Sequence, residues 1–199
     1  IYTVRPYSGN VKGDWNSSGT LKRLADPTVT SAANATAGIT VKWNKTAGAS
    51  GYIIYRKGTS GSWTRIADVK NGSTTSYTDK TVASGSTYSY TVRAYSGKIM
   101  SDWHNYKSLK RLADPKFDSA YTVKAGITLK WNSVKGAGGY ILYRKAPGGS
   151  WVRIADIKSG STLKYVDTTA AGGVKYSYTI RAYSGSVMSS WSSVRNIAR

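Results

Sequence analysis

The chain has 199 residues, with 29 Lys and Arg against nine acids, one His and no Cys, so its formal net charge is +20. Without cysteine it has neither a disulfide nor a thiolate metal site, and no apolar run approaches the roughly 20 residues that span a bilayer. All nine acids are Asp, Glu and Gln are absent and Leu is sparse, which disfavours long helices; abundant Thr, Tyr and Val suit a pleated, half-buried surface, so the composition leans to all-β.

The first residues, Ile1-Tyr2-Thr3-Val4-Arg5, read as a strand and not as a leader peptide, so the chain reads as a mature or excised fragment of something longer. Residues 1–24 match only the end of the units that follow. They read as the last hairpin of a preceding repeat. Two strands alone are marginal in water. The expectation is that this hairpin belongs to a larger domain or completes itself against another copy, giving a strand-swapped homo-oligomer.

Leu24-Ala25-Asp26-Pro27 reads as a short, stiff junction, because Pro removes a backbone donor and fixes φ. Ile39, Val41 and Trp43 then alternate with Thr40, Lys42 and Asn44, which is a period-two strand with one buried face. After a turn-rich stretch at 47–51 comes the strand Tyr52-Ile53-Ile54-Tyr55-Arg56. A Gly/Ser turn leads to Trp63-Thr64-Arg65-Ile66-Ala67. The Asn71-Gly72 turn signal precedes a short strand at Ser76-Tyr77-Thr78. Tyr88, Tyr90, Val92 and Ala94 alternate with Ser89, Thr91 and Arg93. A weaker strand covers Asp102 to Leu109.

Everything then recurs at a constant step of 88 residues without insertion or deletion. Trp43 returns as Trp131, Tyr52 as Tyr140, Tyr77 as Tyr165. Tyr2, Tyr90 and Tyr178 form a triplet, as do Trp15, Trp103 and Trp191. The segment Leu21 to Pro27 returns unchanged at Leu109 to Pro115. The expected division is 1–24, 25–112 and 113–199, with adjacent units end to end on a short linker.

Six or seven short strands at this spacing imply an antiparallel sandwich. The residues resemble the fibronectin type III family in its bacterial extracellular form. The resemblance is carried by Ile39-Thr40-Val41-Lys42-Trp43, by Gly51-Tyr52-Ile53-Ile54-Tyr55-Arg56, by Tyr77-Thr78-Asp79 and by Gly85 through Ala94, with their repeats at Ile127–Trp131, Gly139–Arg144, Tyr165–Asp167 and Tyr176–Ala182. It implies an all-β fold of tandem immunoglobulin-like sandwiches with about seven strands each. It also implies that Trp43 and Trp131 are core residues and that the Tyr88 and Tyr176 hydroxyls tie back to the backbone at a strand corner. No Arg-Gly-Asp motif is present, so integrin binding is not implied.

No catalytic constellation is visible. The only His is His104, which corresponds to Asn16 and Ser192, so no Ser-His-Asp arrangement can be a property of the repeat. Asp26, Asp68, Asp79 and Asp102 read as turn or strand-end residues. No cofactor or metal site is expected.

The binding candidates lie on one sheet face. If Tyr88, Tyr90 and Val92 point inward, then Arg93 and Tyr95 point outward; if Tyr52 and Ile54 point inward, Ile53 and Tyr55 stand outside. Ile53, Tyr55, Arg93 and Tyr95 should form an exposed aromatic and basic patch, repeated as Ile141, Tyr143, Arg181 and Tyr183. Trp63 with Arg65, and Trp151 with Arg153, should flank it. Aromatic faces suit stacking and Arg suits phosphate or carboxylate; the competing reading is surface packing, with Arg stems over aromatic rings. Trp15, Trp103 and Trp191 read as packing at the sheet edge. Lys22-Arg23 and Lys110-Arg111 read as junction residues that pair with Asp26 and Asp114 or join a basic stripe.

The large positive charge predicts attraction to polyanions. The resulting expectation is a non-catalytic repeat region of a secreted or cell-surface bacterial protein, acting as a spacer, adhesion or cell-wall-associating module. Its expected partners are other repeats of the same parent chain and an anionic cell-wall polymer or polysaccharide, with nucleic acid bound only non-specifically. The alternative is an accessory carbohydrate-binding module of a larger glycan- or peptidoglycan-degrading enzyme.

Overall fold

The structure is a computed structural model that describes residues 2–18 and 23–199. Among these residues every regular element is a strand. At the N-terminus β1 (Tyr2–Val4) pairs antiparallel with β4 (Asn16–Ser18), and β2 (Tyr7–Ser8) pairs with β3 (Val11–Lys12). This hairpin leaves Val4, Tyr7, Val11 and Trp15 exposed. Lys22 lies outside the described residues.

The first unit is built from two sheets. One takes β5 (Val29–Ala35), β6 (Gly38–Trp43) and β9 (Ser76–Asp79) in the order β5-β6-β9. The other takes β7 (Gly51–Lys57), β8 (Thr64–Val69), β10 (Thr87–Ser96) and β11 (Ile99–Met100) in the order β11-β10-β7-β8, with β12 (Lys107–Lys110) also on β10. In the second unit β13 (Phe117–Val123), β14 (Gly126–Trp131) and β17 (Lys164–Asp167) form the three-stranded sheet. The larger sheet holds β15 (Gly139–Lys145), β16 (Val152–Ile157), β18 (Lys175–Ser184), β19 (Val187–Met188) and β20 (Arg195–Ala198). All pairs are antiparallel.

The alternation read in the sequence explains the cores. Ile39, Val41 and Trp43 from one sheet meet Tyr52, Ile54, Tyr90, Val92 and Ala94 from the other. The second core repeats this with Ile127, Leu129, Trp131, Tyr140, Leu142, Tyr178, Ile180 and Ala182. Leu24 and Leu112 each pack into the core of the unit that follows them. The expected corner bonds are present: the Ala83 N–H donates to the Tyr88 hydroxyl at 3.1 Å, and the Ala171 N–H to Tyr176 at 3.1 Å.

A buried charge network cross-links the two sheets of each unit. Asp79, at the end of β9, accepts hydrogen bonds from Arg56 (2.7 Å), Tyr90 (2.9 Å) and both the N–H and hydroxyl of Thr81 (2.9 and 2.7 Å). Asp167 repeats it with Arg144, Tyr178 and Thr169. Burial opposes ionisation of each carboxyl, but the hydrogen bonds together outweigh it and hold both below the usual carboxylate range. Burial, then the facing carboxylate, pushes the Tyr90 hydroxyl well above the ordinary tyrosine range.

Hydrogen bonds also span the junction between units. Ser84 donates to the Lys135 carbonyl (2.9 Å), Lys110 to Ser184 (3.0 Å) and Asn34 to the Met188 carbonyl (3.1 Å). The expected pairing of basic residues with junction aspartates holds at Arg23, which lies 3.6 Å from Asp26. It fails at Arg111. That guanidinium is buried and donates to the carbonyls of Ala35, Leu112 and Thr36, while the Asp114 carboxylate has no hydrogen-bond partner. Backbone carbonyls that converge at the junction outcompete the nearby acid.

Candidate functional site

The largest sheet of each unit carries a row of aromatic side chains, and the break in its last strand creates it. β11 and β12 lie on the same edge of β10, but residues 101–106 between them leave the ladder. One backbone bond persists, from the Ser101 N–H to the Ala94 carbonyl (2.8 Å), and side chains supply the rest: the Ala94 N–H donates to the Ser101 hydroxyl (3.0 Å), and the Thr91 hydroxyl donates to the Asn105 carbonyl (2.8 Å). The freed segment turns Trp103 onto the sheet face. Its ring centroid lies 4.6 Å from that of Tyr55, edge to face, and 6.4 Å from that of Trp63, nearly parallel. Tyr106 continues the row at 6.0 Å from Trp63. Lys57 hangs over the Trp63 and Tyr106 rings at 5.0 and 5.6 Å.

The second unit builds the same face with different contents. Tyr143 meets Trp191 at 5.0 Å, edge to face. Trp151 stands across a cleft of about 370 Å³ lined by Tyr143, Trp151, Thr179, Trp191, Ser192 and Val194. The corresponding cleft in the first unit, lined by Trp63, Thr91, Trp103, His104, Asn105 and Tyr106, measures about 280 Å³.

One contact recurs three times. Arg93 stacks on Trp103 at 5.1 Å, Arg181 on Trp191 at 4.8 Å and Arg5 on Trp15 at 5.5 Å. In the two full units the same guanidinium donates to a backbone carbonyl, Arg93 to Ser101 (2.7 Å) and Arg181 to Ser189 (2.9 Å). The arginine therefore fixes the tryptophan against the sheet while keeping its own charge. It has no carboxylate partner among the described residues.

Several expected site residues take different roles. Ile53 is 8% exposed and so offers little surface of its own. It lies in register between Arg93 and Asp68, whose side chains share its face and stand around it. Ile141 is half-buried in the equivalent place. Arg65 and Arg153 point out but are paired with Asp68 (2.9 Å) and Asp156 (2.5 Å). Tyr95 and Tyr183 donate to those same carboxylates, and the Asp68 bond pushes the Tyr95 hydroxyl up. Tyr55, Trp63, Arg93 and their repeats Tyr143, Trp151, Arg181 do share one face.

Trp103 and Trp191 were expected at the sheet edge. They lie instead on the face, 47% and 46% exposed, and are central to each row. Their common spacing from the arginine ten residues earlier is the signal that could have revealed them. His104 lines the first cleft but has no acid or nucleophile partner there. Among the described residues no three His, Cys, Asp or Glu side chains cluster as metal ligands.

A three-stranded sheet packed on a larger sheet of order β8-β7-β10-β11 (β16-β15-β18-β19 in the second unit), with a tyrosine corner at the start of β10 and of β18, defines the architecture. Each unit has the fibronectin type III fold. Solved structures similar to the chain are tandem arrays of that fold. One is a two-domain fibronectin type III segment of chicken tenascin, with TM-score 0.45, 15% identity, and coverage of 89% of this chain and 100% of that one. Another is the FN1-FN3 segment of chicken CNTN1, with TM-score 0.45, 16% identity, and coverage of 95% of this chain and 72% of that one. No family model matches the chain, and no curated protein does.

Proposed function

We propose that the chain is a non-catalytic adhesive repeat segment that holds an anionic polysaccharide, of the kind found in bacterial cell walls, at the aromatic rows of its fibronectin type III units. The observation that carries this reading is the repeated exposed Trp on an Arg: Trp103 on Arg93 and Trp191 on Arg181. An indole held flat on the sheet is a stacking surface that loses little side-chain freedom when a ligand arrives. The cation beneath it is unpaired by acid, so positive charge sits below the ring while the ring's outer face stays free for stacking.

The charge works at longer range. Among the described residues the ion pairs use arginines and no lysine, so the lysines stay available to a polyanion. Their attraction is diffuse and screened by salt, with a Debye length of about 8 Å at physiological ionic strength. The stacking contribution is local and salt-insensitive. The two are separable.

The test is co-sedimentation of the full chain with insoluble wall polymer, phosphate-bearing and phosphate-free, across a salt series. Trp103→Ala and Trp191→Ala should weaken the binding that survives moderate salt. Equal loss of all binding by moderate salt, with no effect of either substitution, would reduce the chain to a charged spacer.

A further inference from the structure

The two units align residue for residue without a gap, yet their clefts differ at one decisive place. Tyr106 in the first unit corresponds to Val194 in the second. Tyr106 lays its ring beside Trp63 and under Lys57, narrowing the first cleft. Val194 has no ring. Trp151 and Trp191 make no ring contact with each other, whereas Trp63 and Trp103 do, and the second cleft is correspondingly larger. The space that the Tyr106 ring fills in one unit is open in the other.

We propose that the cleft between Trp151 and Trp191 is a subsite for one uncharged pyranose ring of a polysaccharide chain, and that Tyr106 closes the equivalent subsite in the first unit. The proposal rests on the polysaccharide reading above and deepens it. Three features select the ligand. The lining residues carry no charge, so the subsite itself does not favour a phosphate or carboxylate. The walls are aromatic faces, whose negative quadrupole attracts the weakly positive C–H bonds on the face of a pyranose. The Thr179 and Ser192 hydroxyls on the floor bond to each other (3.1 Å), so the floor asks for no strong polar partner. The cleft is also shallow: Trp151, Trp191 and Val194 all stay exposed. A ligand seated there keeps its outer side in water, which suits a ring that is apolar on its faces and hydroxylated around its rim. An aromatic or proline-rich peptide would gain less, because its apolar surface would remain half in water. The anionic groups of the same polymer would then be met by the surrounding lysines.

The test titrates the full chain with chitohexaose, an uncharged hexasaccharide of N-acetylglucosamine, following tryptophan fluorescence and calorimetric stoichiometry. Val194→Tyr should weaken binding roughly tenfold or more by filling the cleft, and it should fold normally because Tyr already stands at the matching position. Trp151→Ala should weaken it comparably, while Trp63→Ala should not. Tyr106→Val should raise the stoichiometry from one site per chain to two. Chitohexaose binding that ignores Val194→Tyr and Trp151→Ala overturns the proposal. So does binding of a tyrosine- or proline-rich peptide, sensitive to Val194→Tyr, in place of the sugar. If wall polymer binds but chitohexaose does not, the subsite is refuted and the broader reading stands. If neither binds, both fall.

Discussion

Replacing Asp79 with Ala should be among the most damaging single changes in the first unit. The carboxylate is 1% exposed and gathers four hydrogen bonds from Arg56, Tyr90 and Thr81. Truncation leaves the Tyr90 hydroxyl fully buried without an acceptor, which costs about 1–3 kcal/mol. Arg56 is 24% exposed, so water recovers part of its loss. Lost bonds to Thr81 add to the cost. The total should fall near the roughly 3–5 kcal/mol seen when one partner of a buried ion pair is removed. For a unit of this size that is a drop in Tm of roughly 12–40 °C. Differential scanning calorimetry and urea unfolding measure it. Adding Tyr90→Phe to Asp79→Ala should restore part of the loss, because the stranded hydroxyl is gone. A cost below about 1 kcal/mol, or no recovery in the double variant, would refute the reasoning.

Acid should weaken the fold through the same residues. Asp79 and Asp167 have depressed folded-state pKa values, so their contribution is present above the unfolded value of about 3.9 and is lost as pH falls below it. Urea midpoints at pH 5 and pH 2.5 should differ more in the wild type than in an Asp79→Asn/Asp167→Asn variant. Tyr88→Phe and Tyr176→Phe each remove a corner bond and should cost about 1 kcal/mol by denaturant unfolding. Gly126→Ala would drive a methyl into the Asp167 carbonyl oxygen, so it should destabilise the second unit by about 2 kcal/mol or more, with its unfolding curve as the check. Arg111→Met should loosen the junction, because the carbonyls of Ala35 and Thr36 lose their donor; distances between dyes on the two units should broaden in single-molecule transfer measurements.

The strands that build the cores were readable because one of their faces is buried. Ile39-Val41-Trp43 and Tyr90-Val92-Ala94 alternate strictly, and the structure buries each of these side chains. Strand β5 has no such signal, since Thr30, Ser31, Ala32 and Ala33 show no apolar alternation, and it went unread. The last strand was read as continuous from Asp102 to Leu109. Periodicity cannot reveal that the Ser101 and Thr91 hydroxyls take over part of the pairing with β10, and that substitution is what lifts Trp103 onto the face. Ile53 was placed outside correctly by alternation, but alternation says nothing about how completely Arg93 and Asp68 close over it. Strand alternation places Arg65 and Arg153 beside the patch but does not reveal that the aspartate three residues later pairs with each guanidinium.

The central claim is that ligand is held at the aromatic rows rather than by charge spread over the surface. The seven tryptophans supply their own reporters. Trp43 and Trp131 are buried in the cores, whereas Trp63, Trp103, Trp151 and Trp191 line the two rows. The decisive measurement is the shift of the indole N–H resonances when phosphate-bearing wall polymer is added at moderate salt. Shifts confined to the row tryptophans, with Trp43 and Trp131 unmoved, are the predicted result. Binding that leaves all four row tryptophans unmoved while lysine resonances shift across the surface would contradict it.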